Sequence, residues 1–194
     1  GRTIVFMDEP VDAWSRICDA NGKTMLELFY EDPKQHAFAF QMLAFISRQD
    51  DLKKAFERNP DAIFLSERSV FTDKEVFAKL NFNNGNISVP HYAIYKTWFD
   101  LLHVGYTPAR TGLVFIETNS TECAARAASR ARAGEDAIQK SYLQGCGAAH
   151  EAWMTSTKLP VIRLPGNKTG HNGLDAVTLD SIIKFIANCD KIST

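Results

Sequence analysis

Three stretches carry side chains that could do chemistry. Glu9 follows an apolar run at 4–7 and precedes Pro10. Glu67, Arg68 and Asp73 sit in Ser66-Glu67-Arg68-Ser69-Val70-Phe71-Thr72-Asp73, directly after a second apolar run at 62–65. Arg126, Arg130 and Arg132, with Glu135 close behind, follow a third at 113–116. Guanidinium groups bind oxyanions bidentately, so this set suits an anionic ligand such as phosphate. A carboxylate such as Glu9 could serve as a base or accept a sugar hydroxyl. Each stretch also has a plainer reading. Glu9 could be a turn acid, the 66–73 acids could decorate a helix N-terminus, and the arginines could form a solvated helix face. His150-Glu151 reads as helix packing or a surface pair rather than a catalytic dyad.

Glu9, Glu67 and Arg68 follow the ends of apolar strands, and the arginines lie on the helix after the third strand, from which they could lean over the same side. Strands alternating with helices imply a parallel sheet covered on both faces, and in such sheets ligands bind outside the carboxyl ends of the strands. A short helix or turn at 11–17 carries Trp14, and Asn21-Gly22 marks a turn. Thr24 can cap a short helix holding Leu26, Phe29 and Tyr30. Asp32-Pro33 opens a long helix to about Arg58, with Phe38, Met42, Phe45, Ile46, Leu52 and Phe56 at helical spacing. Gln41, Ala44 and Arg48 fall at i, i+3 and i+7 and share one face. An amide, a methyl and a guanidinium do not make an ordinary core stripe, and a solvated face is the alternative. Further helices are expected at 69–80, 91–103, 120–132, 139–156 and 179–188, with Tyr95, Trp98, Phe99 and Leu102 as the buried side of the second. A fourth strand is expected at 160–164, and loops at 83–86, 107–112 and 165–173.

The totals narrow the class. The 194 residues are 45% hydrophobic and 23% charged, which suits one domain over 1–194 with a full core. A net charge of −1 gives no support for a nucleic-acid or membrane surface. No apolar run approaches the roughly 20 residues of a membrane span. Cys18, Cys123, Cys146 and Cys189 are scattered without a CxxC pair and read as reduced thiols of an intracellular protein. No signal-peptide pattern opens the chain.

Taken together, the motifs resemble the deoxyribonucleoside kinases, in particular the deoxycytidine/deoxyguanosine kinase group. The residues that carry the resemblance are Asp8-Glu9-Pro10-Val11-Asp12-Ala13-Trp14, Phe40-Gln41, Glu67 to Asp73, Arg130-Ala131-Arg132, Tyr142-Leu143 and His150-Glu151-Ala152-Trp153. They cover nearly the whole chain, in one order and at similar spacings. The resemblance implies a P-loop kinase-like α/β fold and transfer of the ATP γ-phosphate, with Mg2+, to the 5′-hydroxyl of a deoxyribonucleoside. Glu9 would be the base and Arg68 would hold the transferring group, with Glu67 a possible Mg2+ partner. Tyr30 and Glu135 would bind the 3′-hydroxyl, and Gln41 would read the base edge. Trp14 and Phe77 would line or stack on the base. Arg48 and Asp73 would shape base preference, with Ala44 leaving room. Arg126, Arg130 and Arg132 would form a lid over the donor phosphates. Where family members often carry two adjacent acids, this chain has Gly134 before Glu135.

One family feature does not occur in this sequence. The resemblance implies a sheet ordered 2-3-1-4-5 whose first strand leads into G-x-x-x-x-G-K-[ST], a loop that cradles phosphates. Asn167-Lys168-Thr169-Gly170 lacks its glycine framework. The chain is thus expected to open at the family's second strand, with the central strand supplied by an upstream segment or another chain. Two readings follow: a deoxynucleoside kinase, homodimeric and cytosolic or mitochondrial, or a non-catalytic relative such as the family's accessory subunit of mitochondrial respiratory complex I, within a larger assembly. A nucleotide kinase is a third, disfavoured by the motif context.

Overall fold

The structure, a computed structural model, describes residues 2–103, 111–132, 134–135, 138–166 and 175–191. Strands and helices follow one another as β1 (Ile4–Met7), α1 (Val11–Ser15), α2 (Met25–Glu31), α3 (Pro33–Arg58), β2 (Ile63–Ser66), α4 (Val70–Thr72), a π-helical segment (Asp73–Ala78), α5 (Lys79–Asn83), α6 (Val89–Leu102), β3 (Leu113–Glu117), α7 (Ser120–Arg130), α8 (Lys140–Ser156), β4 (Val161–Pro165) and α9 (Ala176–Lys191).

The strands form two parallel pairs. β1 lies beside β2 with Ile4 opposite Ile63, and β3 lies beside β4 with Leu113 opposite Val161. Parallel pairing needs a crossover, which α1 to α3 supply in the first pair and α7 and α8 in the second. Among the described residues the two pairs share no hydrogen bonds. Between them runs a cleft of about 1270 Å³, lined by Phe64 and Leu65 of β2 and by Val114, Phe115 and Ile116 of β3. This mixed α/β arrangement is the P-loop kinase-like class that the motifs imply.

Local sequence explains the helix starts. Thr24 and Glu27 make a reciprocal capping box at α2. The Asp32 side chain accepts from the Gln35 N–H, and Pro33 at the first helical position needs no donor partner. Asn119 caps α7 through Glu122 N–H. Helix α3 is the spine of the core. One side packs Phe40 and Ala44 against Trp14, Leu26 and Phe29. The other packs Phe45 against Tyr95 and Phe99 of α6. A third cluster joins Val76 to Trp153 and Met154 of α8.

Three expectations need correction. Trp98, expected in the core, is 46% exposed, and Ile46 is 47% exposed. Helical spacing places them beside buried neighbours, but the covered stripe is narrower than the apolar one. Helix α7 stops at Arg130, not 132, because Ala131 turns left-handed (φ 49°). The helix expected at 69–80 is interrupted by the π-helical segment and runs on to Asn83. Asn167-Lys168-Thr169-Gly170 lies outside the described residues, as do parts of the loops expected at 107–112 and 165–173.

Candidate active site

The carboxylate of Glu9 is the centre of the cleft's charge network. It leaves the end of β1 and its side chain is 8% exposed. Oε1 accepts from Arg48 Nη2 at 2.8 Å and from Arg68 Nη1 at 2.7 Å, and Oε2 meets Arg132 Nη1 at 3.5 Å. Burial pushes its pKa up, but the guanidiniums of Arg68, Arg48 and Arg132 outweigh burial and hold it below the ordinary value. Glu9 is therefore ionised at neutral pH and competent to accept a proton.

Arg48 ties three elements together. From α3 it reaches Glu9, donates through Nη1 to the Glu67 carbonyl at 2.9 Å, and lays Nε 3.1 Å from Asp73 Oδ2. That last contact is ionic and off the hydrogen-bond angle, so both atoms are buried without a hydrogen-bond partner. Burial raises Asp73 to about 6, against the pull of Arg48 and Arg68. Gln41 and Ala44, on the same face of α3, are buried and line the cleft. The expected shared face is real, and the solvated-face alternative is excluded. The Gln41 Oε1 is buried with no hydrogen-bond partner, which is uncommon for a buried acceptor.

Arg68 sits at the strand-to-helix junction with φ 61°, in the left-handed region that non-glycine residues rarely enter. Backbone strain of this kind collects at functional sites. Its guanidinium lies 4.9 Å over the Phe77 ring. Trp14 also lines the cleft, its Nε1 donating to Ser47 Oγ at 3.0 Å and its ring edge-on to Phe40. Tyr30 lines the cleft too, and burial pushes its hydroxyl up to about 12. Glu135 is buried and takes Arg130 through two bonds at 3.1 and 2.6 Å, with Arg132 at 3.6 Å. Arg126 stands apart from this group, paired with Glu122 and donating to the Gly166 carbonyl at 2.9 Å. Glu67 is exposed at the rim.

A cavity that joins a caged carboxylate, an unpartnered amide oxygen, aromatic faces and a row of arginines is laid out for a planar polar group beside an anion. A family model described as deoxynucleoside kinase matches residues 2–183. The chain belongs to the deoxynucleoside kinase family. A probable deoxycytidine kinase of fowlpox virus (strain NVSL) is 29% identical over 166 residues, 83% of this chain and 68% of the relative. Deoxycytidine kinase 2 of Gallus gallus is 29% identical over 164 residues, 75% of this chain and 62% of the relative. The mitochondrial deoxyguanosine kinase of Xenopus laevis is 26% identical over 166 residues, 77% of this chain and 63% of the relative. The chain thus spans about two thirds of the length of these relatives.

Within this kinase-family site, three further residues contribute: Tyr142 carries the resemblance without a role, His150 packs as its helix reading implies, and Asn81 carries no sequence signal of its own. Tyr142 of α8 stands edge-on to Tyr30 at 6.4 Å and lines the cleft. His150 is edge-on to Phe77 at 5.9 Å and stacks on Phe115 at 6.1 Å, with Nδ1 against the Cys146 carbonyl. Burial lowers its pKa, so it is neutral, and it pairs with neither Glu151 nor any other acid in the contacts described. Glu151 is exposed and holds Arg163 instead. Asn81, fully buried behind Phe77, is the third. For Asn81 the i, i+4 spacing from Phe77 is all that can be read.

Proposed function

We propose that this chain is the nucleoside-binding body of a deoxynucleoside kinase that transfers the ATP γ-phosphate to a deoxyribonucleoside 5′-hydroxyl. The observation that carries the reading is Glu9, ionised and fixed between Arg48, Arg68 and Arg132 in a cleft also lined by Gln41, whose Oε1 is buried without a hydrogen-bond partner. Glu9 takes the hydroxyl proton. Arg68, whose side chain is 44% exposed, faces the transferring phosphoryl group. Gln41 and the Arg48–Asp73 pair meet the base edge, Ala44 leaves space for it, and Trp14 and Phe77 meet its faces. Tyr30 and Glu135 bind the sugar 3′-hydroxyl. Arg126, Arg130 and Arg132 neutralise donor phosphates. Phosphoryl transfer asks for this kind of positioning and charge neutralisation more than for covalent chemistry.

ATP and Mg2+ fit the donor set. Among the described residues no three His, Cys, Asp or Glu side chains gather to hold a metal by themselves. Mg2+ usually keeps several waters and binds through one or two carboxylates plus phosphate. The exposed Glu67 at the rim offers one such carboxylate, and Mg2+ would supply further neutralisation of phosphate charge.

No described helix is long and apolar enough to cross a membrane. An intracellular site of action, in cytosol or mitochondrion, accords with relatives that include a mitochondrial enzyme. A homodimer accords with α6, where Ile94, Trp98 and Leu101 form an exposed stripe at helical spacing, and with the exposed Ile46 of α3. The second reading, a non-catalytic subunit of a larger assembly, draws on apolar strand residues left open to solvent, such as Phe6 at 75% and Ile4 at 48%. One experiment separates the two: phosphate transfer from ATP to deoxycytidine, deoxyadenosine, deoxyguanosine and thymidine by the full-length protein. Turnover is expected with at least one of them, and none with any refutes the kinase.

A further inference from the structure

The helix that carries Asp73 and Phe77 changes its winding between them. Val70–Thr72 and Lys79–Asn83 are α-helical, and Asp73–Ala78 is a π-helix in which the Lys79 N–H reaches back five residues to the Lys74 carbonyl. A π-turn holds about one residue more than an α-turn. It therefore turns everything after it by about 100° relative to an unbroken helix.

Side chains on both sides of that turn have fixed duties. Upstream, Val70 and Thr72 are buried and Asp73 meets Arg48. Downstream, Val76 and Ala78 are fully buried while Phe77 faces the cleft under Arg68. Without the extra residue, Asp73 and Phe77 could not both keep these positions.

A second observation concerns Asn81, whose side chain is fully buried. Its Nδ2 donates to the Phe77 carbonyl at 3.0 Å, and its Oδ1 accepts from Asn86 Nδ2 at 3.0 Å. Its own carbonyl takes the N–H groups of Asn86 and Ile87 at 2.9 and 3.2 Å. A side-chain donor to the carbonyl four residues back is the usual partner where a helical ladder is disturbed. Asn81 thus pins the end of the π-turn to the loop that follows α5.

We infer that the π-turn at Asp73–Ala78, closed by Asn81, is the specificity-determining element of the nucleoside site. It sets the angle between the Arg48–Asp73 pair at the base edge and Phe77 at the base face, and Asn81 is its positioning residue. The inference rests on the kinase reading above.

Two variants of the full-length protein test it. Deleting Glu75, whose one described ion pair is to Lys79 at 3.6 Å, lets the turn close to an α-helix. Asn81→Leu removes the donor to Phe77 while keeping the branching and the number of side-chain heavy atoms. For the deletion, the nucleoside KM is expected to rise about tenfold or more, as misplacement of a positioned group does. The ratios of kcat/KM among the four deoxynucleosides should flatten while the KM for ATP is unchanged. Asn81→Leu should move the same quantities in the same direction. If the deletion does not fold, Asn81→Leu decides alone, assayed below its own melting midpoint. A folded variant with wild-type nucleoside KM and wild-type preference overturns the inference. So does an equal loss for all four nucleosides and for ATP, which marks a merely structural role. A wild-type protein that neither binds nor phosphorylates any of the four overturns the kinase reading instead.

Discussion

Glu9→Gln changes one charge and almost no volume, so its consequences can be worked from the contacts. The carboxylate now serves Arg48 at 2.8 Å, Arg68 at 2.7 Å and Arg132 at 3.5 Å. In the variant Arg68, 44% exposed, and Arg132, 30% exposed, can recover water. Arg48, 6% exposed, cannot, but it keeps the Glu67 carbonyl and Asp73. The outright loss is therefore one buried charge-assisted hydrogen bond, roughly 1.5–3 kcal/mol. For a chain of this size that is a fall in melting midpoint of about 3–12 °C. The chemical loss should be larger. A positioned base contributes about 10²- to 10⁴-fold, or roughly 2.7–5.4 kcal/mol of barrier. Nucleoside affinity should stay close to wild type, because the base-edge groups are untouched. The assay is kcat at saturating ATP and nucleoside, well below the variant's midpoint, beside an equilibrium titration of the nucleoside. The pH dependence adds a check. Glu9 has a depressed folded pKa, so its stabilisation is present above the ordinary value of 4.5 and lost as pH falls through the folded value. The gap in midpoint between wild type and variant should then close on acidification below that value. A kcat near wild type, or a fall no larger than the unfolded fraction explains, removes Glu9 from the role of base.

Asp73 makes the opposite pH prediction. Burial raises its folded pKa from 3.8 to about 6, so the native state holds its proton more tightly and this residue's contribution to stability falls as pH rises through that window. Asp73→Asn should remove the slope, its midpoint gaining on wild type from pH 3.8 to about 6, and parallel midpoint curves would contradict this. Arg48 and Asp73 should act as a unit in base choice, so a double-mutant cycle on deoxycytidine preference should be non-additive, and additive effects would separate them. Trp98→Glu should convert a dimer to monomers in sedimentation with little change in fold, and a wild-type protein that sediments as a monomer at micromolar concentration would remove the interface.

What the sequence made legible follows from which properties are local. Caps are local, and Thr24, Asp32 and Asn119 act as their residue types require. The face shared by Gln41, Ala44 and Arg48 is a matter of helical period alone, so its existence could be read directly. Its direction could not, because burial depends on what packs against α3. Trp98 shows the limit from the other side. It stands three residues from the fully buried Tyr95, yet the partner helix covers only the arc through Tyr95 and Phe99, so Trp98 is left in solvent.

The π-turn marks a different limit. Lys74 and Glu75 are ordinary helix residues, and no residue type in 73–78 announces an extra residue in the turn. What selects it is the sum of distant demands: Arg48 holds Asp73 on one side, Val76 must reach Trp153 and Met154 on another, and Asn81 is fixed by the loop at Asn86. A regular helix meets the first demand or the others, but not all of them. The motif from Glu67 to Asp73 therefore identifies which side chains the site uses. The angle between Asp73 and Phe77, on which base choice is proposed to depend, is decided by packing behind the helix.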